Sequence, residues 1–177
     1  MRPVKVTIDT NVLLGTLQDN PQSKSCREII RLAQRRLIDL SVTPMVDMDD
    51  ATGQAMGLVM QYKREGVLTE TRPAHRPRYA NPAAPPPIEP DEKLETDIIK
   101  CLKPEAGRNW RLLKDNDQKD VDHLMSHKQN GRHLFITCET GRGGMWRKRA
   151  CLRRLGIRVT TPNGFIRARG GWQRCGS

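Results

Sequence analysis

The chain has 177 residues, enough for one domain with its own hydrophobic core. It carries 31 Lys and Arg against 20 Asp and Glu, a formal net charge of +11. That balance says little about the fold and favours polyanionic partners, with nucleic acid first and an acidic membrane surface second. Aromatic residues make up only 4% of the chain, so contact with a phosphate backbone is favoured over a broad base-stacking platform.

The cysteines and the N-terminus indicate a reducing, cytoplasmic setting. There are 5 cysteines, an odd number, and no pair has a C-x-x-C spacing, so free thiols are expected. The N-terminus leads almost directly into a strand, without the apolar stretch of a signal peptide. No apolar run approaches membrane-spanning length, and we therefore expect no membrane partner.

The first part of the chain alternates short apolar strands with helices. Residues 3–8 predict a buried strand, and residues 11–17 predict a short helix. Apolar residues recur at helical spacing from Cys26 to Leu37 and predict a helix over 25–37. The side chains of Cys26 and Leu37 are both expected on its buried face. A second strand is expected over 38–43 and a further helix over 46–63, in which two glycines weaken the pattern.

Residues 71–91 are dominated by Pro, Ala and Arg, and no helix or central strand tolerates that density of proline. We interpret this stretch as a loop inserted into one domain that spans residues 1–165. A linker between two domains is the alternative, but each flanking piece is too small to form a core alone. Residues 166–177 are expected to form a basic C-terminal tail.

Alternating helices and strands continue beyond the loop. Helices are predicted over 91–102 and 117–129, followed by a strand over 133–137. A basic helix over 145–155 and a strand over 157–160 complete a β-α-β unit. Helices between short apolar strands throughout predict a three-layer α/β/α domain.

Carboxylates follow two of the predicted strands. Asp9 comes directly after the first strand, and Glu139 follows the strand over 133–137. Sites assemble at the carboxyl ends of parallel strands, so the two side chains can meet there. Clustered carboxylates suit Mg²⁺ or Mn²⁺, and a metal-dependent enzyme is the first hypothesis.

Two further acidic groups can join this cluster. One is Asp117, Asp120 and Asp122 at the start of a helix, and the other is Asp47, Asp49 and Asp50 after the second strand. Each group alone fits simple compensation of a helix dipole, worth roughly 0.3–1 kcal/mol per charge. Their placement at strand ends or helix N-termini favours convergence on one edge of the sheet, where a cation would relieve their repulsion.

These segments resemble PIN-domain nucleases. Residues 8–14, which read IDTNVLL, look like the opening motif of that family. Residues 120–124 (DVDHL) and 134–139 (LFITCE) match its later block, which continues to residue 162. The similarity covers both ends of the chain well and the middle poorly. It implies a central parallel sheet of four to five strands and a ribonuclease specific for single-stranded RNA that uses Mg²⁺ or Mn²⁺.

The resemblance also assigns roles to individual residues. Asp9 matches the first family acid and Asp120 the third, with Asp122 close behind as a metal ligand, and Glu139 stands where the family usually has Asp or Asn. The second acid is normally a Glu that this sequence lacks, and Asp49 is the best match, with Asp47 and Asp50 as alternates. Polar residues that support the acids are Thr10, Asn11 and Thr137.

The expected mechanism is phosphodiester hydrolysis, with one or two ions held by Asp9, Asp49, Asp120 and Glu139. A run of basic residues is usually only a solvated helix face, but this one directly follows the Glu139 loop, which favours RNA contact. The candidates for RNA binding are Arg142, Arg147, Lys148, Arg149 and Arg153. The resemblance further implies either the toxin of a toxin–antitoxin pair or an RNA-processing enzyme, with a homodimer or an acidic inhibitor protein as partner.

Three other interpretations compete with this one. The missing second Glu supports a catalytically weak or inactive PIN-like module that binds RNA or protein. A receiver-like signalling domain expects an adjacent acid pair after its first strand, whereas Asp9 stands alone. His123 and His127 have the spacing of a zinc pair, but no third ligand suggests itself.

Overall fold

The protein is described here by a computed structural model. The parts of the chain that it describes are residues 3–45, 52–73, 88–107, 112–141 and 143–174. Asp47, Asp49, Asp50 and Arg142 lie outside these ranges, as does most of the proline-rich stretch.

A single parallel sheet of five strands forms the centre of the molecule, in the order β3-β2-β1-β4-β5. The strands are β1 (Val4–Ile8), β2 (Ile38–Val42), β3 (Thr69–Glu70), β4 (Leu134–Ile136) and β5 (Val159–Thr160). In the register of the sheet, Val6 lies between Leu40 on β2 and Leu134 on β4. The predicted α/β architecture with a parallel sheet of four to five strands is therefore confirmed.

Seven α-helices flank the sheet in the described part of the chain. They are α1 (Thr10–Leu17), α2 (Ser23–Gln34), α3 (Gln54–Arg64), α4 (Glu92–Leu102), α5 (Asp115–Gln129), α6 (Arg149–Arg154) and α7 (Pro162–Arg174). Short 3₁₀ turns follow α4 at Pro104–Ala106 and precede α6 at Met145–Lys148. Helices α1, α2, α3 and α7 contribute to one apolar core, and α4, α5 and α6 contribute to a second.

The alternation of side chains along the strands produces these two cores. Val6 and Ile8 point into the first core, whereas Phe135 on β4 points into the second. All three side chains are fully buried. The central strands are thus covered on both faces, as a parallel sheet requires.

A buried layer of polar side chains separates β1 and β2 from α5. The Thr7 hydroxyl lies 3.3 Å from the Ser41 hydroxyl and 3.0 Å from Nδ1 of His127. The Thr43 hydroxyl is hydrogen-bonded to Nδ1 of His123. The two histidines with the spacing of a zinc pair therefore each bond a different threonine through the Nδ1 atom.

Several element boundaries differ from the sequence-based expectations. Helix α2 begins at Ser23 and ends at Gln34, where Arg36 adopts a left-handed backbone with φ 57°. Leu37, expected on its buried face, is 45% exposed. The basic helix predicted over 145–155 divides into a 3₁₀ turn and the shorter α6. For the helix predicted over 46–63, residues 46–51 lie outside the described chain, and the described part begins at Gln54.

Strand β3 and helix α7 have no counterpart in the predicted elements. The residues expected to begin a basic tail belong to α7, which packs against α2 and buries Phe165 in the first core. A proline at the first position of α7 fits a helix start. The glycine-rich sequence near its end conceals that helix from propensity arguments.

The expectation that all thiols are free is wrong. Cys101 of α4 and Cys151 of α6 form a disulfide across 50 residues of sequence, with their Cα atoms 5.6 Å apart. Cys26 and Cys138 are free, and their sulfur atoms lie 3.9 Å from one another. Sequence spacing could not reveal the bonded pair, because helix packing brings the two residues together.

Within the described ranges, no helix combines the length and apolar character that crossing a membrane would need.

His127 is expected to make the fold less stable in acid. Burial, reinforced by the charge of Arg132, lowers the pKa of its imidazole from the ordinary 6.5 to about 3. Between these two pKa values, His127 is protonated in the unfolded chain and neutral in the folded chain. Above about pH 6.5 the ring is neutral in both states and has no effect on stability. Below that pH the free energy of unfolding decreases, by up to about 1.4 kcal/mol for each pH unit.

Urea denaturation at pH 7 and pH 5 tests this expectation. His127→Gln should reduce the loss of unfolding free energy between the two pH values, because glutamine takes up no proton in this range. An unaltered loss in His127→Gln would show that other groups carry the acid sensitivity.

Candidate active site

The carboxyl ends of β1 and β4 lie side by side and bring Asp9 next to Thr137. The two strands pair in parallel through Ile8 and Ile136, and the Asp9 amide donates to the Ile136 carbonyl at 2.9 Å. The Thr137 hydroxyl donates to Oδ2 of Asp9 at 2.8 Å and accepts from the Glu139 amide at 3.0 Å. A single buried hydroxyl thus links the two acids that follow these strands.

A cleft of about 400 Å³ opens at this edge of the sheet. Three of its walls come from distant parts of the chain: the start of α1, the start of α5 and the loop after β4. The residues that line it are Asp9, Thr10, Asn11, Lys103, Asn116, Asp117, Lys119, Asp120, His123, Glu139 and Gly143. Four of these side chains are carboxylic acids, so the cleft is rich in oxygen donors.

Asp120 is a carboxyl group of the cleft with a strongly raised pKa. Burial is the largest cause, and together with the nearby charges of Glu139, Asp9 and Asp117 it raises this pKa to about 8, while His123 acts in the opposite direction. The acids from β1, α5 and the β4 loop therefore influence one another electrostatically. A cluster of this kind favours the uptake of a proton or a cation.

The loop after β4 holds Glu139 over the cleft. Nδ2 of Asn11 donates to Oε1 of Glu139 at 3.4 Å, across the gap between the two strand ends. A Cβ atom on Gly144 would lie 2.8 Å from the Glu139 carbonyl oxygen, so the loop folds back more closely than any other residue would allow. Glycine at this position therefore helps to fix where Glu139 stands.

Most of the predicted acids that the structure describes gather in this cleft. Asp9, Asp120 and Glu139 line it together with Thr10 and Asn11, and Thr137 lies buried behind them. Asp122 is buried, with 1% of its surface exposed, and is not among the lining residues. Asp49 and its alternates fall outside the described chain, so the second acid stays a prediction.

The described residues fit a divalent cation in donor type but not in spacing. Carboxylate oxygens are the ligands that Mg²⁺ and Mn²⁺ prefer. Within the described ranges, no three His, Cys, Asp or Glu side chains are gathered closely enough to hold an ion. Joint coordination by Asp9, Asp120 and Glu139 therefore requires their side chains to move closer together.

Two lysines that were not predicted from the sequence also line the cleft. Lys103 follows α4 and forms a salt bridge of 3.0 Å with Asp117, which raises the pKa of the lysine. Lys119 lies on the first turns of α5, beside Asp120. No local signal marks Lys103, because it reaches the cleft only through the packing of α4 on α5.

The described basic residues proposed for RNA contact, Arg147, Lys148, Arg149 and Arg153, are not among the residues that line this cleft. Arg149 and Arg153 line a separate groove at the β5 edge of the sheet. Arg147 is exposed and donates to the Thr140 carbonyl at 3.2 Å, and Lys148 is half-buried. The acids of the cleft and the pair Arg149 and Arg153 therefore lie on two distinct surfaces.

No known family model matches this chain, and no curated protein matches it in sequence. What the structure defines is an α/β protein with a five-stranded parallel sheet and a carboxylate-lined cleft at its carboxyl edge.

Proposed function

We propose that this chain is a metal-dependent endoribonuclease that hydrolyses phosphodiester bonds of single-stranded RNA. The observation that carries the proposal is the convergence of Asp9, Asp120 and Glu139 from three separate segments on one cleft. The similarity of residues 8–14 and 134–139 to PIN-domain nucleases supports it, because the first segment joins the end of β1 to the start of α1 and the second forms β4 with its following loop.

In this proposal Asp9, Asp120 and Glu139 would hold Mg²⁺ or Mn²⁺ once their side chains move closer together, with Asp49 as the predicted second acid. Such an ion, when bound, lowers the pKa of a water molecule and neutralises charge on a phosphate. Thr137 orients Asp9 through its hydroxyl, and Asn11 orients Glu139 through its amide. Support of this kind commonly changes metal affinity or activity by about 10–100-fold.

Lys119 and Lys103 bring positive charge to the same cleft. An ammonium group near the scissile phosphate offsets part of the negative charge that develops during hydrolysis. Both lysines are therefore candidates for contact with the substrate, and the Lys103 ammonium also forms a salt bridge with Asp117.

A catalytically weak PIN-like module that binds RNA or protein is the second candidate. The observation that favours it is the wide spacing of the acids, since within the described ranges no three of them are gathered for an ion. This module would keep the RNA-binding surface and lack metal-dependent turnover.

A cleavage assay separates the two candidates. Labelled single-stranded RNA, its duplex, and single-stranded DNA of the same sequence are incubated with the full chain in Mn²⁺, Mg²⁺ or EDTA. We expect internal cleavage of single-stranded RNA with either metal and none in EDTA. Binding of RNA without cleavage in any metal would favour the module, and cleavage that persists in EDTA would contradict the metal-dependent mechanism.

A further inference from the structure

We propose that the groove between α6 and α7 binds an unpaired nucleotide of the RNA strand, with the base on its apolar floor and the phosphates on its arginine rim. The inference deepens the proposed function and rests on it for the role of the bound strand. The groove has a volume of about 430 Å³. Both residues of the edge strand β5, Val159 and Thr160, belong to its lining.

The charge of the groove complements a phosphate backbone. Four arginines line it, Arg149 and Arg153 of α6, Arg158 before β5 and Arg169 of α7. Among the described residues that line it there is no Asp or Glu. Arginine presents a planar fork of donors that suits phosphate oxygens, and a groove of one charge sign concentrates polyanions.

The floor of the groove suits a planar base. Phe165 and Val159, both nearly buried, contribute apolar surface beneath the arginines. Trp146 stands at the side, and the guanidinium carbon of Arg149 lies 4.0 Å from the centre of its ring. Arg149 also donates to the Trp146 carbonyl at 3.1 Å, which holds the stacked pair in place. Unpaired bases stack on aromatic rings and on guanidinium planes of this kind.

The acidic cleft cannot supply this binding energy itself. Its lining contains four carboxylic acids and two lysines, so it does not attract a polyanion in the absence of a cation. Gly143 lines the cleft and Trp146 lines the groove, and three residues span at most about 11 Å. A strand anchored in the groove is therefore within a few nucleotides of the carboxylates.

The test is binding of fluorescently labelled single-stranded RNA to the full chain in EDTA, measured by anisotropy over a series of salt concentrations. Trp146→Ala should weaken binding about tenfold, since one lost base stack is worth about a factor of ten. Trp146→Phe, which keeps an aromatic face, should restore most of the affinity. An abasic strand of the same length should bind Trp146→Ala and the wild type alike.

Adjacent arginines on α6 provide a matched pair. Arg153→Gln should weaken binding about fivefold and lower the salt slope by about 1. Arg154→Gln removes the same charge from an exposed neighbour that does not line the groove, and should change affinity by less than about twofold. Equal effects of the two variants would show that RNA responds to the overall surface charge and not to the groove, which would overturn the inference.

Two further outcomes would also overturn it. One is unchanged RNA affinity in a folded Trp146→Ala variant. The other is displacement of RNA by an acidic peptide of equal charge at lower concentration, which would indicate a protein partner. Groove binding without any cleavage would leave this inference standing and remove the proposed enzyme, whereas cleavage with normal binding by the groove variants would do the reverse.

Discussion

Asp9→Asn is expected to lower the rate of metal-dependent RNA cleavage by at least about 100-fold, because a metal ion contributes several kcal/mol of transition-state stabilisation and about 1.4 kcal/mol is a factor of ten. Asp9 is 3% exposed, lies in the cleft and is oriented by the Thr137 hydroxyl. An asparagine oxygen can still accept that hydrogen bond, so the substitution removes charge while it keeps the shape. The measurement is the single-turnover cleavage rate in Mn²⁺.

Asp19→Asn is the matched control, since it removes the same charge from an exposed position shortly after α1. It should cleave at close to the wild-type rate. The free energy of unfolding of both variants, measured in urea without metal, shows whether a slow rate reflects the site or the fold. Comparable cleavage by a folded Asp9→Asn variant would rule out the role proposed for this carboxylate.

Replacing Cys101 and Cys151 together by alanine is expected to lower the free energy of unfolding by about 4 kcal/mol. Their disulfide closes a loop of 50 residues, and a cross-link over that separation removes much of the conformational entropy of the unfolded chain. Whole domains are stable by only about 5–15 kcal/mol, so this change is large. Urea denaturation under oxidising conditions measures it.

Addition of a thiol reductant supplies the internal control for this prediction. The wild type should lose a similar amount of stability on reduction, and the double alanine variant should be insensitive to the reductant. Cys26 and Cys138 are unchanged in both proteins, so their thiols cannot account for the difference. A wild type that is equally stable with and without reductant would contradict the expected contribution.

The sheet could be predicted from sequence where strands are short, apolar and followed by a marked break. β1, β2 and β4 are runs of this kind, and their core residues Val6, Leu40 and Phe135 are fully or almost fully buried. β3 has two residues and is held by pairing with Ser41 and Val42, so it carries no pattern of its own. α7 was missed because its burial depends on contact with α2, which a local window does not contain.

The acids of the candidate site followed from topology. Asp9 and Glu139 could be nominated because the carboxyl ends of parallel strands share an edge, and Asp120 because it opens the helix before β4. The cations could not be placed in this way. Lys103 reaches the cleft through helix packing. Arg149 and Arg153 instead line the groove at the β5 edge, because α6 packs on the second core. Local sequence therefore located the groups at strand ends and failed for groups on packed helices.

The disulfide joins the two parts of the surface on which both proposals depend. Cys101 stands two residues before Lys103 of the cleft, and Cys151 lies between Arg149 and Arg153 of the groove. Oxidised and reduced chains are therefore different covalent species at the point where these two helices are fastened. The thiol content of a preparation is a property to be titrated before its RNA affinity and its cleavage rate are compared with those of another.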